Sequence, residues 1–319
     1  MSAFPPNSTG SREYTAADPQ SRTPSVEGPH RWRLPKGALA IAALALAGAT
    51  VFLYPSTASW LSQYDQSKVV VGLAKATYEA GPQSRLDALA AAAAYNQLLT
   101  SQATLPENAH KPVSDTGAAS DDRYETLLHG DVNGAMGRLR IDAIDVDLPI
   151  YHGTDDATLE KGVGHLQGTS LPVGGASTHA VLTAHRGLAE ATLFDRLDEL
   201  KNGDTFQLEV FGEVLSYRVF ETKVIEPDDT ASLFPRFGKD LVTLVTCTPL
   251  GITSHRILVT AERVLPTPIA DVQQAGVSPE IPGTPWWAIG LGLTVTMLTL
   301  YVYQQGRGRG PAVTPRQRS

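Results

Sequence analysis

Two uncharged apolar runs frame the chain. Ala38 to Tyr54 is 17 residues and Trp286 to Tyr303 is 18. At about 1.5 Å per helical residue the second run covers about 27 Å, one hydrocarbon thickness, so both predict membrane-spanning helices. Trp286, Trp287, Tyr301 and Tyr303 stand at the two ends of the second run, where amphipathic rings settle at the headgroup level. From Trp60 to Ala80 and from Ser84 to Thr100 apolar residues recur at helical spacing, parted by Gly81-Pro82, which predicts two packed helices. Arg85 and Asp87 at the head of the Ala88 to Ala94 run argue against a third span. Ser101 to Asn133, rich in Pro, Asp, Ser and Gly, reads as a long irregular, lid-like connection.

From Gly134 to Leu265 the period changes to two. Phe206, Leu208 and Val210 alternate with Gln207 and Glu209, and after Gly212 the alternation resumes at Leu215, Tyr217 and Val219, which predicts a hairpin. Further strands are predicted at 137–141, 180–183, 219–225, 241–245 and 257–264, with short helices near 156–162 and 191–197. The reading is mostly β, a small and largely antiparallel barrel. Pro266 to Pro285 is a Pro-rich linker back to the membrane. The predicted organisation is a disordered cytoplasmic tail (1–37), a transmembrane helix or signal peptide (38–54), extracytoplasmic helices (55–100), the lid-like loop (101–133), the barrel (134–265), the linker (266–285), a second transmembrane helix (286–303) and a basic cytoplasmic tail (304–319).

Charge orients this arrangement. Arg12, Arg22, Arg31, Arg33 and Lys36 precede the first run, and Arg307, Arg309, Arg316 and Arg318 follow the second, which places both termini in the cytoplasm. The segment between carries 17 basic against 30 acidic residues and faces outward. The 36 residues before the first apolar stretch are long for a signal peptide, so an uncleaved anchor is favoured, although Ser56-Thr57-Ala58 offers small residues for cleavage. The net charge of -7 and the lack of a Lys/Arg run exclude a nucleic-acid surface, and 42% hydrophobic residues suffice for a real core.

One cysteine, Cys247, excludes an internal disulfide and a Cys-based metal site. It closes the buried-strand run Leu241 to Thr246, so its thiol would arrive at the rim of a sheet. Arg256 opens the next strand after a short return, and the spacing can bring guanidinium and thiol to one rim. A lone cysteine is more often a small buried hydrophobe than a nucleophile, yet in an oxidising compartment an unpaired thiol is a liability unless used. A nucleophilic thiol needs an acid or base partner. His185 follows the apolar run Ala180 to Ala184 and precedes Arg186-Gly187, another strand end before a turn; His255 and His152 compete with it. Asp142, Asp145 and Asp147 read as solvated strand positions rather than Ca²⁺ ligands.

Several motifs then become recognisable together. Thr243-Leu244-Val245-Thr246-Cys247 fits a T-L-x-T-C pattern, with Arg256 at the expected distance. Leu148-Pro149-Ile150-Tyr151-His152-Gly153-Thr154, Gly162-Val163-Gly164-His165, Gly168 to Gly175, Ala184-His185-Arg186-Gly187-Leu188 and Thr246-Cys247-Thr248-Pro249 follow in order. Over roughly Leu127 to Val264 the chain resembles the class C sortases, the cysteine transpeptidases that polymerise pilins. The resemblance implies a closed eight-stranded β-barrel, with Cys247 as nucleophile, His185 as general acid/base and Arg256 as oxyanion and substrate stabiliser. It implies an LPxTG-like sorting signal on pilin or surface proteins as donor. It implies a pilin Lys as the acceptor amine; the alternatives are a sortase of another class, which anchors surface proteins to a cell-wall precursor amine, and a non-catalytic membrane-tethered binding barrel. No cofactor is called for.

The Asp-Pro-aromatic lid tripeptide of many class C enzymes does not occur between Ser101 and Asn133. Asp122 and Tyr124 keep an acid and a ring two apart and make at most a loose lid; a capping Asp before a short helix at 124–128 is the simpler reading. At reference pKa values of about 8.5 and 6.5, about 3% of Cys247 is thiolate and about 25% of His185 is charged at pH 7, so about 1% of molecules hold the competent pair. Either the site lowers the thiol pKa or a small active fraction suffices.

Overall fold

The computed structural model describes residues 32–99, 103–104, 113–114, 122–130, 133–249 and 254–307. The chain divides into two compact units, residues 1–45 with 296–319 and residues 46–295. In the first unit the Arg33 N–H donates to the Gly306 carbonyl at 3.1 Å.

Helix α1 (Lys36–Glu79) runs without a break through Pro55. The sequence reading separated a span at 38–54 from a helix at 60–80; the structure joins them, because Pro55 costs one hydrogen bond while the flanking residues are all helix-compatible. Pro82, with no N–H to satisfy, stands in the first turn of α2 (Gly81–Leu98). Two short strands, β1 (Ala103–Thr104) and β2 (Val113–Ser114), pair with each other, and α3 (Asp122–Thr126) follows. Most of the lid-like segment lies outside the described residues.

Eight strands close a barrel: β3 (Ala135–Ile141), β4 (Val146–His152), β5 (Val163–His165), β6 (Thr178–Thr183), β7 (Thr205–Val210), β8 (Glu213–Ile225), β9 (Asp240–Thr248) and β10 (His255–Arg263). Their order is β10-β8-β7-β3-β4-β5-β6-β9, closing on β10, and only the β4–β5 and β6–β9 junctions are parallel. The β7–β8 hairpin turns on Phe211 and Gly212, whose φ values of 50° and 83° suit a two-residue turn that follows the twist of the strands. The 215–219 and 219–225 strands of the sequence reading are one strand, β8. Near 156–162 a single helical turn forms, α4 (Asp156–Leu159), capped by the Asp155 carboxylate on the Thr158 N–H at 2.7 Å. The helix expected near 191–197 is absent: the Phe194 N–H closes a loop onto the His185 carbonyl at 3.0 Å, and the only helical turn there is a 3₁₀ turn at Leu197–Glu199.

The main core fills the barrel with Met136, Leu139, Ile150, Leu182, Phe206, Leu244 and Val259, among others. Ala92 of α2 joins that core, and Asn96 pairs with the Leu171 backbone through both its amide groups, at 3.0 and 2.7 Å. α1 packs Val69 and Leu73 on Ala135 and Tyr151.

Past the barrel come α5 (Ile269–Gln273) and α6 (Trp286–Gly306). The linker between β10 and α6 is strapped down rather than loose. The Ser216 hydroxyl donates to Asp271 at 2.6 Å, the Gly276 N–H to the Glu209 carboxylate at 3.0 Å, and Arg138 Nη1 to the Val277 carbonyl at 2.7 Å. Arg138 also grips Asp147 through two bonds of 2.6 Å, with both side chains buried. Asp147 is therefore a buried ion-pair partner and not the solvated position the alternation implied. Asp142 pairs with Arg140 and Asp145 with Arg196. α1 and α6 are long and apolar enough to cross a membrane.

Candidate active site

Three neighbouring strands end together. In the β9–β10 register Arg256 is the direct partner of Cys247, and in the parallel β6–β9 register Thr183 is the partner of Val245. Two residues beyond that last pair lie His185 and Cys247. Strands spaced by about 4.8 Å thus bring the imidazole, thiol and guanidinium to one rim. Cys247 is 8% exposed, Arg256 is fully buried, and His185 is half-buried.

The strand period gives this rim its own face. Val181, Val245 and Leu258 alternate with the core residues Leu182, Leu244 and Ile257, and they join Leu166, Ile225 and Leu233 in a second apolar cluster outside the barrel. Cys247 shares its face with Val245, and Arg256 with Leu258. His255 alternates with Arg256 and so belongs to the other face; it is exposed and bonds Ser254. His152 is taken up by the Leu127 carbonyl at 2.8 Å. His110 lies outside the described residues. Of the three histidines considered, His185 is the one that follows a strand neighbouring that of Cys247.

Each letter of the Thr243 to Cys247 run has a physical task. Thr243 bonds His179 Nε2 at 2.7 Å and Thr260 at 3.0 Å. Leu244 fills the core and Val245 the outer cluster. The Thr246 hydroxyl donates to the Ala184 carbonyl at 2.8 Å, which ties the cysteine's strand to the residue before His185. Thr183 adds a bond to the Val245 carbonyl at 3.1 Å. Residue-by-residue reading missed Thr246 and Thr183; the fixed Thr in the motif was the available signal.

Burial pushes the Cys247 thiol above its ordinary pKa, and the Arg256 charge opposes this less strongly. Burial also lowers the Arg256 pKa, and a thiolate opposite raises it again. In the resting chain the site therefore does not lower the thiol pKa, and the thiolate fraction at pH 7 is below the roughly 3% of a free thiol. The buried cation favours negative charge on the sulfur or on any oxyanion formed beside it.

Tyr124 is placed differently from the lid reading. It is 1% exposed and belongs to the main core. Its hydroxyl accepts the Gly153 N–H at 3.0 Å and lies 2.9 Å from His165 Nδ1. His165 pairs in register with Leu182, a residue of the face opposite to that of Val245 and Cys247. The ring is thus a fixed plug in the core, because a buried phenol needs partners and finds them there. Asp122 is the first residue of α3, so the short helix covers Asp122–Thr126 rather than 124–128. Tyr124→Phe is expected to destabilise the fold by about 1–3 kcal/mol, since it strands the Gly153 N–H and the His165 nitrogen. Alkylation of Cys247 should keep its rate, and a denaturation curve beside an alkylation time course checks both.

A family model described as the sortase domain matches residues 139–264. Sortase C-1 from Actinomyces oris is 47% identical, with a TM-score of 0.52 over 57% of this chain and 99% of that one. The chain belongs to the sortase family. Sortase C1 from Streptococcus agalactiae is 34% identical, with a TM-score of 0.56 over 62% of this sortase and 98% of its own chain. These neighbours are class C sortases, the class the motifs resemble. Sortase D of Bacillus subtilis is 35% identical over 133 residues, 41% of this chain and 64% of the relative's length.

Proposed function

We propose that the protein is a membrane-anchored cysteine transpeptidase that cleaves an LPxTG-like sorting signal between Thr and Gly and passes the acyl group to a Lys amine of a pilin subunit. The observation that carries this reading is the convergence of Cys247, Arg256 and His185 at the ends of β9, β10 and β6 on one face of the barrel. The Cys247 thiolate attacks the Thr carbonyl carbon and forms a tetrahedral oxyanion, which the Arg256 guanidinium faces. The intermediate collapses as His185, as imidazolium, gives its proton to the departing Gly nitrogen. A thioester remains. The incoming amine attacks that carbonyl, neutral His185 takes the amine's proton, and the Cys247 thiolate leaves as the new amide forms.

α1 and α6 anchor the enzyme with both termini in the cytoplasm, as the flanking arginines direct. The test is intact-mass spectrometry of the protein after incubation with an LPxTG peptide, beside Cys247→Ala. The expected result is an added mass equal to the peptide truncated after Thr, absent from the variant. Release of that adduct by a pilin Lys peptide, and not by a cell-wall precursor amine, assigns the acceptor. A freely alkylated Cys247 that never gains the adduct sinks the proposed donor.

A further inference from the structure

The loop that follows His185 is tied to the helix that carries the N-terminal apolar run. Tyr54, the last residue of that run, donates its hydroxyl to Glu190 Oε1 at 2.7 Å, and Gln63 Nε2 donates to Thr192 Oγ1 at 2.6 Å. The loop is also closed on itself. The Gly187 N–H donates to Asp195 Oδ1 at 2.6 Å, Arg186 donates to the Asp195 carbonyl at 3.0 Å and pairs with Asp198 at 2.6 Å, and the Phe194 N–H returns to the His185 carbonyl at 3.0 Å. His185 is thus the base of a braced loop whose tip is held by α1.

Aromatic rings mark the level of this joint. Trp60 stacks on Tyr64 at 5.3 Å, meets Trp287 edge-on at 6.0 Å, and donates its indole N–H to the Gly283 carbonyl at 2.9 Å. Trp287 stands in the first turn of α6, so this cluster sits where the second apolar helix begins. Interfacial aromatics of this kind settle among lipid headgroups. Tyr54 lies six residues, about 9 Å of helix, from Trp60 on the side of the apolar run. A loop bonded to Tyr54 therefore reaches to the headgroup layer or just beneath it. Val51 and Phe52 on the helix, at 75% and 84% exposed, and Leu188 on the loop present apolar surface around the joint.

We infer that the loop tip at Leu188 to Thr192 rests in the headgroup layer of the bilayer that α1 and α6 cross, so that the rim bearing His185 works against the membrane surface. This rests on the anchoring proposed above. A bilayer is the occupant because Tyr54 belongs to the apolar run itself, and because the one acid at the tip, Glu190, already accepts the Tyr54 hydroxyl. Peptide donors then reach the thiol within a short distance of the lipid, and the acceptor amine arrives from the side away from it.

Spin labelling of the full-length protein in phosphatidylcholine–phosphatidylglycerol vesicles tests this. Single cysteines are placed at three exposed positions by Leu188→Cys, Leu46→Cys and Glu213→Cys, each in Cys247→Ala, and are labelled with a nitroxide. Accessibility is read with dissolved oxygen, which concentrates in lipid, and with an aqueous nickel chelate. The expected result is oxygen dominance at 46, nickel dominance at 213, and at 188 a loss of nickel accessibility relative to 213 with a gain in oxygen accessibility. A label at 188 that matches 213 while 46 lies in lipid overturns the inference and leaves the anchoring intact. A label at 188 shielded from both reagents shows a protein cover and also overturns it. Nickel dominance at 46 instead sinks the anchoring, and the inference with it. Ala189→Cys repeats the measurement at a neighbouring exposed position.

Discussion

Arg256→Ala is expected to lower kcat for sorting-signal cleavage by about 10²–10³-fold, the usual cost of losing one oxyanion partner. The residue is fully buried, directly opposite Cys247, and its charge is the one influence that pulls the thiol pKa down against burial. Its removal should act twice. The oxyanion loses a cation, and the thiol pKa rises further, so the pH curve of Cys247 alkylation moves to higher pH. In the unmodified protein that curve should already rise above the ordinary thiol value of about 8.5. Arg256→Lys should recover part of the pH shift, through its charge, but little of kcat, since an ammonium lacks the planar fork. An alkylation profile that is the same in Arg256→Ala and in the parent, with both folded by circular dichroism, would remove Arg256 from the chemistry.

Acid should begin to weaken the barrel near pH 6.5, before the carboxylates titrate. His165 and His179 are both buried, and burial lowers each pKa to about 4. Their surroundings fix the neutral form. His165 Nε2 donates to the Ser170 carbonyl at 2.9 Å, and its Nδ1 lies 2.9 Å from the Tyr124 hydroxyl, which also donates to the His165 carbonyl at 3.0 Å. His179 Nδ1 donates to the Phe234 carbonyl at 3.1 Å, and Nε2 accepts from Thr243. The unfolded chain protonates these rings near pH 6.5 and the folded one near 4, so the unfolded state binds more protons in between. The stability is fully present above pH 6.5 and is lost as pH falls towards 4, by about 3 kcal/mol for each histidine. Urea midpoints at pH 7.0, 6.0 and 5.0 should fall steadily, and His179→Gln should roughly halve the slope. A flat profile over that interval would rule the two rings out as acid triggers.

The parts of this fold that were legible in the sequence are those fixed by local pattern. Alternation around Phe211-Gly212 marks the hairpin because the turn and both strands are adjacent in the chain. Cys247 and His185 each end an apolar run before a turn, so their place at a rim is readable, although their meeting depends on the parallel β6–β9 register, which no local pattern contains. β4 and β5 were missed as strands for the same reason: β4 includes Pro149, β5 is three residues long, and both are held by distant partners. The Asp147 ion pair and the strapped linker come from tertiary contacts with Arg138. For Tyr124 the sequence favours a short helix over a lid, but two residues of separation from an acid carry no information about which face of the barrel the ring meets.

The barrel has no open edge, since β10 is bonded to β8 on one side and to β9 on the other. A peptide therefore has no row of free main-chain groups in the barrel to join as an added strand, the mode of binding that tolerates almost any sequence. Whatever is held beside Cys247 must be recognised by its side chains against a shaped surface, which makes discrimination the default. The same closure spares the folded domain from edge-to-edge stacking when many copies crowd into one patch of bilayer.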